Sequence, residues 1–233
     1  QEITENADEM VFEVHMTPEK QREAQALTLA NGMLTPGDSL GNYITHEEFE
    51  YLKEQATAFG IPPASITNFQ PWFASVALSV SAIIREGWNP ESGVDQYIER
   101  IANDKGILIS ELETLEAQMA ALYDHPLDTQ AAMLKDTISQ LHDIKKITLD
   151  MISAWSSGEE EKMVEVLIVP LQEQRDVYAK LVVQRNNNWI PVIEKLLNKS
   201  QNTLVVAGAA HFVGEDGVIR LLIDKGYDVK KVQ

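Results

Sequence analysis

From Thr17 to about Leu197 the chain carries almost unbroken helical periodicity, and runs able to form strands lie outside that stretch or in its one interruption. Four such runs stand out: Glu9–Val14 (EMVFEV), 106–110 (GILIS), 203–208 and 228–232. Strands this short and this far apart satisfy their backbones by meeting in one small sheet. The fold class expected is therefore mixed α/β: a small, mostly parallel sheet drawn from the chain ends, plus a large helical insertion or cap. We expect one domain over residues 1–233, with sheet elements at about 7–16, 106–110 and 200–233. The helical cap takes about 17–105 and 111–199.

Helix boundaries are written in the sequence. Thr17-Pro18 is a cap followed by proline at the first helical position. Thr45-His46-Glu47-Glu48 is a capping box, with Phe49, Leu52, Ala56 and Phe59 following at helical spacing. Pro71–Glu86 is apolar nearly all round, which predicts a central buried helix. Asp128–Trp155 predicts one long helix, and Glu159–Val169 a further one ending before Pro170. Leu171–Leu197 continues helically, with a kink expected at Pro191.

The C-terminal stretch Asn202–Val232 reads as strand, loop, helix, strand. Thr203–Ala207 is apolar and β-branched. Gly208, Ala209 and Ala210 then deliver His211 where the strand has just ended. Gly214 and Gly217 bracket Glu215 and Asp216 and permit a tight loop into a helix faced by Val218, Leu221 and Leu222. Gly226 stops that helix, and Tyr227–Val232 reads as a returning strand. Open α/β sheets build their sites at the C-terminal ends of strands. His211 is therefore a candidate functional group, and so is Glu13, an acid near the end of an otherwise apolar strand.

Composition narrows the classes. The chain has 36 acidic and 19 basic residues among 233, a net charge of −17, which argues against nucleic-acid binding and favours a soluble protein. It has no cysteine, hence no thiolate metal site and no cysteine nucleophile. No apolar run is long enough to span a bilayer. Phosphate-loop, Gly-x-Ser-x-Gly and HExxH patterns are absent, which removes the common nucleotide hydrolases, α/β-hydrolases and zinc proteases. The opening QEITENADEMVFEV lies close to a strand and reads as a processed start.

Five elements carry a family resemblance, in order: Ala7-Asp8 with Val11-Phe12-Glu13-Val14; Gly93-Val94-Asp95-Gln96-Tyr97; Leu112-Glu113-Thr114 with Glu116 and Gln118; Gln184-Arg185-Asn186 with Trp189; and the closing GAAHFVGEDGVIRLLIDKGYDV. Together they resemble the TraB/GumN family, whose superfamily includes the Tiki-like, erythromycin esterase and ChaN-like proteins. The likeness covers essentially the whole chain. The family carries a second Gly-x-x-His before the first of these elements. Here Gly208–His211 is the one such motif, and the other would lie before Gln1.

The resemblance implies a metal-dependent, peptidase-like hydrolase acting on an amide or ester, with His211, Glu13 and Arg185 as its site. His211 and Glu13 would hold a divalent metal ion or handle protons. Arg185 would neutralise an oxyanion or clamp a carboxylate. Against these stand a structural histidine, a solvated edge-strand acid and a helix-surface ion pair. The competing function is a non-catalytic domain that binds a peptide or protein, or signals, without a complete metal site. A peptide or small-molecule substrate is the partner expected, with no nucleic acid. Self-assembly into a homo-oligomer through the apolar helices is a third possibility, and the resemblance favours the cell envelope, periplasm or secretion. Asp95, Tyr97, Glu113, Glu215 and Asp216 read as structural.

Overall fold

The computed structural model describes residues 2–232, giving only the backbone of Glu2 and Ile3. The chain forms two compact units. One holds the residues up to Thr17, Pro90–Gln118 and everything from Met151 onward; the other holds Pro18–Asn89 and Met119–Asp150.

The first unit contains the sheet. β1 (Glu9–Phe12) lies between β2 (Leu108–Glu111) and β3 (Thr203–Val206), parallel to both, in the order β2-β1-β3. Glu9 stands opposite Leu108 and Thr203, and Phe12 opposite Glu111 and Val206. A parallel pair needs a crossover connection, and both crossovers here are long and largely helical. The fold is thus mixed α/β with a small parallel sheet and a large helical portion, as the strand spacing predicts.

β1 is buried along its whole length, as a central parallel strand should be. Successive side chains serve opposite faces. Val11 packs with Leu112, Trp189, Ile190, Ile193, Val218 and Leu222, while Met10 and Phe12 pack with Ala102, Ile98, Ile101, Leu204 and Val206. Glu9 is also buried. It accepts from Lys199 Nζ at 2.6 Å and from Ser110 Oγ at 2.7 Å. Burial opposes its charge, but these partners prevail and hold its carboxyl below the ordinary range.

The expected fourth strand is not in the sheet. Residues 227–232 are irregular. Tyr227 and Val229 pack against the Trp189 cluster, and the Tyr227 hydroxyl donates to Glu194 at 3.3 Å. The returning segment docks two side chains rather than pairing a backbone.

Two helical expectations also change. Pro170 does not end its helix. The preceding chain widens into a π-helical turn, Val164–Ile168, and Pro170 opens the next short helix, Val169–Gln172. Proline lacks the N–H that would close an ordinary turn, and a widened turn accommodates it. A second π-helical segment, Ala179–Gln184, leads into the helix Arg185–Leu197, which runs through Pro191.

The second unit is helical. His46–Ala58, Pro71–Arg85 and Leu127–Gln140 surround a core of Leu40, Leu52, Ile66, Leu78 and Leu134, while Pro18–Gly32 buries only Gly32. The capping box forms: Glu48 N donates to Thr45 Oγ1 at 3.2 Å, and Thr45 N donates to Glu48 Oε2 at 2.7 Å. Pro71–Arg85 is not buried all round, since Val80 and Ile84 are exposed. The helix expected over Asp128–Trp155 is broken by a tight turn at Leu141–Asp143, and resumes as Ile144–Ser157.

Candidate functional site

Because the three strands run parallel and in register, their C-terminal ends reach one edge together. Glu13 follows β1, Glu113 follows β2, and Gly208 follows β3, two residues past its end. Backbone bonds continue the pairing of β1 and β2 past the strands, from Leu112 N to Phe12 O at 2.9 Å and from Glu113 N to Glu13 O at 3.1 Å.

His211 arrives on a short turn, Ala209–His211, and is buried. Two glycines shape the loop beyond it. Gly214 has a φ of +79°, in the left-handed region that suits glycine. A side chain on Gly217 would begin 2.7 Å from the Val213 carbonyl oxygen, so no other residue fits without moving backbone. Both glycines of the sequence motif are therefore required by geometry.

Arg185 opens the helix Arg185–Leu197 and binds everything at this edge. Its Nε donates to both Glu113 oxygens, at 3.0 and 3.2 Å, and its Nη2 donates to Glu113 Oε1 at 2.5 Å and to Glu13 Oε2 at 2.6 Å. Its Nη1 donates to the Leu181 carbonyl at 3.2 Å and to His211 Nε2 at 3.0 Å. A guanidinium has five N–H donors, and these acceptors occupy all of them. The ring of Trp189 lies 5.0 Å from the guanidinium carbon and 4.3 Å from the His211 ring.

The histidine tautomer follows from its neighbours. The Asn186 amide nitrogen donates to Asp216 O at 2.7 Å and to His211 O at 3.3 Å. Asn186 Oδ1 must therefore be the acceptor facing His211 Nδ1 at 2.6 Å, and Nδ1 carries the proton. Nε2 is left with its lone pair aimed at Arg185, which can only donate.

Electrostatics agree. Burial, and then the charge of Arg185, push the His211 pKa down to about 4, so the ring is neutral at neutral pH. Burial opposes the Glu13 charge, but the Gly208 N–H at 2.7 Å and the Arg185 guanidinium prevail, and its pKa lies below the ordinary carboxyl value. Burial likewise opposes the charge of Arg185, and Glu113 and Glu13 more than restore it. The Glu113 side chain is 7% exposed, that of Arg185 12% and that of Glu13 21%, so Glu13 is the most accessible charge of the group.

All three residues singled out from sequence, Glu13, Arg185 and His211, thus meet at one place. Three others join them. Glu113, read from sequence as structural, forks onto Arg185. Gln118 Nε2 donates to Glu13 Oε2 at 2.9 Å. Asn186 orients His211. Each stands inside a motif element already quoted, the one signal in the sequence that could have found them. Of the other motif residues, Asp95 lies in the first turn of the helix Val94–Lys105, Tyr97 is exposed, and Asp216 accepts from the Tyr178 hydroxyl at 2.9 Å.

A divalent ion does not fit this arrangement. Glu13 and His211 turn toward one another only through the guanidinium, which engages an oxygen of one and the lone pair of the other. Among the described residues, no group of three or more His, Asp or Glu is disposed to hold a metal ion.

Comparison with known proteins agrees with the family resemblance. The chain is 26% identical over 186 residues to the uncharacterized protein YbaP of Escherichia coli K12, covering 79% of this chain and 68% of that protein. The uncharacterized protein YbaP of Shigella flexneri matches with the same figures. No solved structure matches. The TraB/PrgY/gumN family matches over residues 1–231, and the chain belongs to that family.

Proposed function

We propose that the chain is a hydrolase acting on an amide or ester carbonyl, with Glu13 as the proton acceptor. The observation that supports this most is the convergence of Glu13, Arg185 and His211, far apart in sequence, at the C-terminal edge of the sheet. A carboxylate has about four lone-pair positions. Glu13 uses three, toward Gly208, Gln118 and Arg185. The one remaining can receive a proton from a water molecule attacking the carbonyl carbon. The same proton then passes to the departing nitrogen or oxygen as the carbon–heteroatom bond breaks. His211, neutral and with its lone pair engaged, holds Arg185 in register, and Arg185 keeps Glu13 ionised. The family resemblance brings a metal with this chemistry, but the residues here do not fit one, and no step is routed through it.

The test is turnover of a panel of ester and peptide substrates by the purified chain. A Glu13→Gln variant that folds normally should lose about 10²–10⁴-fold in kcat. Turnover that survives this substitution unchanged would remove Glu13 from the role.

One observation favours a second reading, a non-catalytic peptide- or protein-binding domain. Every donor of Arg185 is already engaged, so none is free for an oxyanion. Absence of turnover across the panel, with retained binding of a peptide to both the parent and the Glu13→Gln chain, would favour that reading.

A further inference from the structure

Three acceptor atoms converge on one guanidinium: Glu13 Oε2, Glu113 Oε1 and His211 Nε2. Each presents a lone pair to it. The carboxylates are both ion-paired to Arg185, and Asn186 commits the only ring proton of His211 to Nδ1. Two carboxylates and an imidazole lone pair aimed at one point are a donor set for a cation. The hydrogen bond from His211 Nδ1 to Asn186 is also the kind of support that orients a ligating imidazole. What stands at that point is Arg185, inserted from the first turn of its helix.

We propose that Glu13, Glu113 and His211 form a cation cage whose resident cation is the guanidinium of Arg185, and that emptying the cage turns it into a divalent-metal site. The charges support this. Two carboxylates, one guanidinium and one neutral imidazole leave a net −1, and removing Arg185 leaves −2 in a little-exposed space. Such a charge demands either protonation or a replacement cation. In the native chain the three acceptors are spread around a planar cation rather than drawn in to a single ion. Without Arg185, they are free to close on a smaller one. The chain would then differ from a metalloenzyme at this edge by one side chain, the cation being part of the polypeptide.

The experiment measures binding rather than turnover, so it stands or falls apart from the hydrolase reading. The full chain and its Arg185→Ala variant are titrated separately with manganese(II), zinc(II) and ethylguanidinium. Melting temperature is followed, and bound metal is counted after desalting. The parent should retain no ion, and its melting temperature should not move. The variant should melt lower and recover by roughly 5 °C at a hundredfold excess of metal ion or ethylguanidinium over Kd. Adding Glu113→Gln to the variant should abolish the metal response. Two results overturn the proposal: a parent chain that retains one ion and loses it on Glu13→Gln, or a folded variant that responds to neither metal nor ethylguanidinium. Should Arg185→Ala not fold, Arg185→Met, which keeps the side-chain bulk without the charge, is titrated in its place and its response is read in the same way.

Discussion

The carboxylate of Glu113 is forked onto Arg185, taking Nε and Nη2 with both of its oxygens. This two-point contact leaves the far side of the guanidinium to reach Glu13 and His211. Glu113 is thus the fixed end of the network and Glu13 its accessible end.

Breaking that fork should be costly. Removing one partner of a buried pair leaves an uncompensated charge, at about 3–5 kcal/mol. Arg185→Leu, which strands two carboxylates, should approach this range, with Glu113→Ala below it. Arg185→Lys should recover part of the loss, because an ammonium restores charge but not the planar fork. Urea unfolding followed by circular dichroism measures all three. Equal stabilities for the parent and Arg185→Leu would rule out a stabilising network.

Stability should fall on acidification before the ordinary carboxyl range is reached. Unfolded, His211 takes a proton near the ordinary imidazole value of 6.5; folded, it does so only near 4. Between those values the unfolded chain binds more protons, so stability declines as pH drops from about 6.5 to about 4. The full effect is on the order of 3 kcal/mol. Glu13, whose folded pKa is also lowered, adds to the loss below about 4.5. His211→Gln should flatten the upper part of the profile and leave the lower part.

Gly217 and Gly208 should respond differently to alanine. Gly217→Ala drives a methyl to 2.7 Å from a backbone oxygen and should cost well over 1 kcal/mol. Gly208→Ala meets Glu13 Oε1 at 3.4 Å, tight but not overlapping. It should fold, and act by pushing the carboxylate off the Gly208 N–H. Thermal denaturation separates the first case, and the pKa of Glu13 by NMR reads the second.

The Lys199–Glu9 pair is a test of structure alone, remote from the reactive edge. Lys199→Met leaves Glu9 buried with only Ser110 and should cost about 1–3 kcal/mol. Lys199→Met with Glu9→Gln should recover much of that. A double-mutant cycle gives the coupling.

Where the sequence was informative, it was so for definable reasons. β-Branched runs bounded by glycine announced β3, and small residues after it announced the placement of His211. The returning strand expected at Tyr227–Val232 misled, because a short run after a helix stop does not distinguish a paired strand from an extended tail docked by two side chains. Asp128–Trp155 read as one helix because apolar spacing continues across Leu141–Asp143, where backbone geometry alone marks the break. Glu113 and Asn186 were hidden because an acid before a helix and an asparagine within one have ordinary structural uses. Only the long-range approach of residues 13, 113, 185 and 211 gives them another.

The wide separation of β1, β2 and β3 along the chain has a consequence for biosynthesis. The central strand emerges from the ribosome before either neighbour, and β3 follows it by some two hundred residues. Contacts spanning such intervals close slowly and are exposed while they wait. A nascent polypeptide must therefore keep Met10, Val11 and Phe12 from foreign strands until Thr203–Val206 has been translated. Glu13 is made long before Arg185 and His211, and a chain released before His211 has no such centre.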